Sequence, residues 1–143
     1  MRSFIVVSFC SFFISGLANA ASPGDRSLMA VGGSFSVTNR ADGTAWTWGG
    51  NSNGQLGRSS VGSYSATPGM NGLAEVISLS AGQVHTVALD SDGAVWTWGG
   101  NSYGQLGQGS KTDSNTPTVL SSISDVMAIS AGSYHTLLLK EDG

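Results

Sequence analysis

The chain has 143 residues, of which only six are basic and nine acidic, for a formal charge of −3; glycine is abundant at 21 and cysteine occurs once. So few cations form no basic patch for a polyanion, and nucleic-acid binding has no electrostatic footprint here. Low charge with 40% hydrophobic residues also sets the chain apart from disordered sequences, which combine low hydrophobicity with high charge.

Taken in chain order, the first element predicted is a secretory signal. Met1-Arg2 gives one positive charge, Phe4 to Leu17 is an uncharged apolar run of 14 residues, and Ala18-Asn19-Ala20 supplies a small-x-small cleavage pattern. The run is short for a membrane span, which needs about 20 apolar residues. Cleavage after Ala20 is expected to remove Cys10 and Arg2. The mature chain would then carry a charge of −4 and have no disulfide, no thiolate ligand and no membrane segment. Residues 21–31 form an N-terminal segment before the patterned region.

From residue 32 onward the sequence repeats at a period of 50. Gly32, Gly82 and Gly132 align, as do Asp42-Gly43, Asp92-Gly93 and Asp142-Gly143. "WTWGGNSNGQLG" (46–57) returns as "WTWGGNSYGQLG" (96–107) with one difference in twelve positions. Units of 32–81, 82–131 and a partial 132–143 follow. Within a unit, "EVISLSA" (75–81) alternates as a strand does. "VHTVAL" (84–89) and "AVWTWG" (94–99) flank an Asp-Gly hairpin turn, and "PTVL" (117–120) is a weaker fourth strand. No stretch after the signal has a sustained 3.6-residue apolar period. The prediction is an all-β fold of four-stranded antiparallel sheets repeated in space.

The segment "VHTVALDSDGAVWTWGGNSYGQLGQG" resembles the repeat of the RCC1 (regulator of chromosome condensation) family, and the likeness extends over residues 32–143. The resemblance implies blades of a seven-bladed β-propeller. A ring of that size needs roughly 350 residues at this period, so the chain is expected to supply an incomplete ring of about two to three blades. The sequence stops inside an Asp-Gly turn with no capping unit, which reads as a fragment of a longer propeller; its open blade edges are expected to favour self-association.

The repeated residues are Trp46, Trp48, Gly49, Gly54, Gln55, Leu56 and Gly57, answered by Trp96, Trp98, Gly99, Gly104, Gln105, Leu106 and Gly107. Gly82, His85, Asp92 and Gly93 join them, with Gly132 and His135 in the third copy. A phosphate-binding loop would need Lys and Ser/Thr after its second glycine, where Gln55-Leu56 and Gln105-Leu106 stand instead. The glycines are therefore read as turn and close-approach positions, with Leu56 and Leu106 buried beneath them. The tryptophans, two apart on a strand, point to one face and are read as packing between sheets. One histidine per unit, replaced by Phe35 in the first, supplies neither a metal set nor a triad. Asp90-Ser91-Asp92-Gly93 is a hairpin turn, because Arg40 and Lys140 begin the equivalent turns. No catalytic residue, cofactor or metal site is predicted.

Function is therefore expected to lie in binding. The signal and the resemblance together imply a secreted propeller that holds a protein partner with the loops at one end of the ring, and the variable stretches Arg58 to Tyr64 and Gln108 to Asn115 are the candidates to supply its specificity. It also implies an alternative, exchange-factor activity on a small GTPase, against which the signal and the acidic balance argue. An enzyme, a lyase or hydrolase with its site in blades beyond this sequence, is the third reading.

Overall fold

A computed structural model describes residues 28–143; the predicted signal and its cleavage site lie outside them. Ten strands follow one another without a helix among the described residues: β1 (Met29–Val31), β2 (Phe35–Asn39), β3 (Ala45–Gly50), β4 (Tyr64–Met70), β5 (Val76–Ala81), β6 (His85–Asp90), β7 (Val95–Gly99), β8 (Ser114–Val119), β9 (Val126–Ala131) and β10 (Thr136–Lys140). They form two four-stranded antiparallel meanders, β1–β4 and β5–β8, and a two-stranded sheet, β9–β10.

The two hairpins at the centre of the four-stranded sheets have the same register. Phe35 pairs with Gly49 and Asn39 with Ala45 in the first; His85 pairs with Gly99 and Leu89 with Val95 in the second. Their Asp-Gly turns place Gly43 and Gly93 at φ of 78° and 79°, a conformation that glycine adopts without the Cβ penalty. The sheets run out of phase with units counted from Gly32: each begins with the strand that precedes the unit's first glycine, so β1 falls in the N-terminal segment.

The hydrophobic core lies between sheets rather than within them. Ala45, Leu73, Val76, Ala88 and Trp98 fill the first seam, between the β1–β4 and β5–β8 sheets. Val87, Leu89, Val95, Leu120, Val126 and Ala131 fill the second, between the β5–β8 and β9–β10 sheets. A sheet clamped on both sides has no solvent face, which is why the first five residues of β6 are all buried. Alternation along that strand selects the seam instead: His85, Val87 and Leu89 face the third sheet, whereas Thr86 and Ala88 face the first. β4 and β8 are the exposed outer edges and carry Pro68 and Pro117, as an edge strand with no partner on one side permits.

Candidate partner-binding surface

The meander sends its connections to two ends. One end gathers the β1–β2, β3–β4, β5–β6, β7–β8 and β9–β10 loops; the other gathers the Asp-Gly hairpins and the links between sheets. The repeated sentence "WTWGGNSxGQLG" builds the first of these ends, and most of its residues are occupied inward.

Asn51 and Asn101 do most of the loop fixing. Asn101 Oδ1 accepts from Leu106 N at 3.0 Å while its Nδ2 donates to the carbonyls of Ser110 and Thr112, both at 3.0 Å. Asn51 repeats the pattern with Leu56, Val61 and Gly62. Thr47 and Thr97 donate their hydroxyls to the carbonyls of Leu56 and Leu106. Gln55 and Gln105 accept from the amides of Asn53 and Tyr103. Leu56 and Leu106 are fully buried. Neither the asparagines nor the threonines were among the residues singled out from the sequence. Their signal was present, because both lie in the duplicated sentence, but polar residues in a Gly/Ser loop do not announce burial.

Gly49 and Gly99 sit at φ of 104°, and a Cβ on Gly99 would lie 2.5 Å from the Val84 carbonyl oxygen. The loop of one sheet then docks on the next. Gln55 O accepts from Trp98 Nε1 at 2.9 Å and from Thr86 Oγ1 at 3.1 Å, across the first seam. Trp98 is fully buried there; Trp48, its counterpart, is half-buried on the far face of the first sheet. In the second seam Gln105 O accepts from Thr136 Oγ1 at 2.7 Å, and a cleft of about 320 Å³ lined by Leu106, Leu120, Ile123 and Leu138 remains beside it.

The outer tryptophans are fixed by different means. Trp96 Nε1 donates to Asp90 Oδ2 at 2.8 Å, and Asp90 Oδ1 also accepts from the amides of Asp92 and Ala94. Trp46 donates instead to Thr44 Oγ1, with the Arg40 guanidinium 3.7 Å over its ring. The Asp90 carboxylate is thus spent on its own turn. Asp42 receives the Thr44 hydroxyl and amide, and these hydrogen bonds lower its carboxyl below the ordinary value.

His85 is fully buried in the second seam and His135 is exposed, immediately before β10. Their rings, and that of Phe35, lie over Gly82, Gly132 and Gly32, where a Cβ would collide with the ring in each case. The Gly-x-x-His spacing is therefore a packing device. Among the described residues no group of three or more His, Cys, Asp or Glu could hold a metal ion, and no helix is long and apolar enough to cross a membrane.

Of the two variable loops, the first residue of each turns inward: Arg58 Nη1 donates to Thr47 O and Gln108 Nε2 to Thr97 O, both at 3.2 Å. The remainder is exposed apart from half-buried Val61 and Ser114. Between the loops lies a polar cleft of about 460 Å³, lined by Ser59, Gly62, Ser63, Asn53, Asp113 and Asn115 among others. Asn53 Nδ2 donates to Asp113 Oδ2 at 3.2 Å across it, and Asp113 Oδ1 accepts from Asn101 N. Charge divides between the ends. Arg58, Lys111 and Asp113 are at the loop end, whereas Asp42, Glu75, Asp90, Asp92, Asp125, Glu141 and Asp142 are at the hairpin end with Arg40 and Lys140.

Four-stranded antiparallel meanders stacked face to face, with their first strands together and their fourth strands outermost, are the blades of a β-propeller. The RCC1 repeat model (regulator of chromosome condensation) matches residues 42–89 and 92–139, a second RCC1 repeat model matches 76–105, and the chain belongs to the RCC1 repeat family. Among solved structures, it is similar to human WBSCR16, with 26% identity and a TM-score of 0.69 over 82% of this chain and 32% of that one. It is also similar to yeast RCC1 (Prp20) bound to Kap60, with 28% identity and a TM-score of 0.69 over 81% of this chain and 28% of that one. Prp20p from Saccharomyces cerevisiae, described with its binding to Gsp1p and histones, gives 25% identity and a TM-score of 0.70 over 87% and 31%. The chain therefore spans about a third of the length of these proteins. No curated protein matches it.

Proposed function

We propose that this chain is part of a secreted, non-catalytic RCC1-type propeller that holds a protein partner with its loop end. The observation carrying this reading is the division of labour along the repeat. Most residues shared by the copies are consumed by turns and seams, while the segments that differ, Ser59–Tyr64 and Gly109–Asn115, are largely exposed, side by side around one polar cleft. Similar folds support it, since Prp20 is described bound to Kap60 and binding Gsp1p and histones. His85, one of the two histidines, is taken up by a seam between sheets.

Two measurements test the reading. Crosslinking of the exported protein should capture a saturable partner, and replacing both loops by Gly/Ser of equal length should abolish that capture without changing the melting temperature. Undiminished capture after replacement would overturn the loop assignment. The exported protein should begin at Ala21; an intact Met1 start would overturn secretion by cleavage after Ala20.

A further inference from the structure

We infer that the seam between the second and third sheets is a pH-sensitive joint, locked by neutral His85 and released when that imidazole takes up a proton. The lock is a chain of hydrogen bonds. Thr136 Oγ1 has a single proton, which it donates to Gln105 O at 2.7 Å. The hydroxyl must therefore accept from His85 Nε2, 3.1 Å away, and that fixes the neutral tautomer with hydrogen on Nε2 and a bare Nδ1. Nδ1 is buried and has no hydrogen-bond partner among the described residues. A proton there would place a charge in the seam without a counter-ion.

The strands around it offer no counter-charge. β5, β7 and β9, which pack on or pair with β6, carry no titratable or charged residue. On β10 only Lys140 is charged, at the far end, and Asp90 lies at the opposite end of β6, about 17 Å along the strand at the usual rise. The near neighbour is His135, another potential cation. Burial first, and then His135, lower the His85 imidazole from 6.5 to about 4, and a backbone contact from His135 opposes this without cancelling it.

The same molecule contains a control. Phe35 occupies the equivalent position in the first sheet, with its ring over Gly32 as His85 lies over Gly82, so the first seam has the same shape with nothing to titrate. An aryl ring is thus tolerated at this site, which makes His85→Phe the informative variant.

The direction follows from linkage. With a folded value of about 4 and an open-seam value of 6.5, closure is complete above pH 6.5 and weakens as pH falls toward 4. From pH 7 to pH 5 the closing equilibrium should fall about 20-fold.

Amide hydrogen exchange at pH 7 and pH 5, corrected for intrinsic rates, tests this. Protection of β9 and β10 should fall by about that factor, protection of β2 and β3 should stay constant, and His85→Phe should remove the fall. The same loss in His85→Phe would overturn the proposal, because His135 and every carboxylate remain in that variant. A wild-type titration of the His85 ring by NMR needs no variant: a midpoint near 6.5 with unchanged β9–β10 protection would equally overturn it.

Discussion

Asn101 shows how one side chain closes a loop of this kind. Its carboxamide is fully buried, accepts one amide and donates to two carbonyls that belong to different parts of the loop. Asn101→Ala would leave all three backbone groups without their partner, and unsatisfied buried groups cost about 1–3 kcal/mol each in the general case. Water can reach the outer carbonyls once the loop loosens, so the expected loss is about 2–4 kcal/mol in urea unfolding. A change below about 0.5 kcal/mol would mean that Leu106 alone pins the loop. Residues of this type were the least legible in the sequence. Composition marks Asn, Ser and Gly as loop formers, and nothing in the pattern distinguishes an asparagine that faces water from one that replaces a strand's hydrogen-bonding.

Elements were read more easily, and for a physical reason. β3 and β7 announce themselves by β-branched and aromatic residues next to an Asp-Gly turn, and the structure places them at Ala45–Gly50 and Val95–Gly99. β8 was legible only as "PTVL", because an outer edge strand carries polar residues and Pro117 and so lacks an apolar signature; it spans Ser114–Val119. The burial of the tryptophans also follows element position rather than residue type. Trp98 faces the first seam and Trp48 faces away from it. Trp98→Phe removes the indole bond to Gln55 O together with part of the ring volume, and should cost about 1–3 kcal/mol. Trp48→Phe should cost under about 1 kcal/mol. Equal effects in parallel urea titrations would show that the seam does not distinguish them.

At the scale of the whole molecule, the described residues give the third sheet two strands where the other two sheets have four. Leu137 and Leu139 on β10 are 63% and 53% exposed, and Met127 on β9 is 61% exposed. β10 pairs with β9 alone among the described residues. The counterparts of Leu137 and Leu139 50 residues earlier, Val87 and Leu89 on β6, are buried against the next sheet, so in the propeller proposed above the two leucines would pack against a further sheet in the same way.

The bond from Trp98 to Gln55 O spans 43 residues, and that from Thr86 spans 31. During synthesis, then, the loop at Gln55 leaves the ribosome with its carbonyl unclaimed and waits for a strand that has not yet been made. The third sheet does the same service for Gln105 through Thr136, 31 residues later. Each sheet is finished by its successor, so this protein assembles as a queue in which every member is held in place by the one behind it.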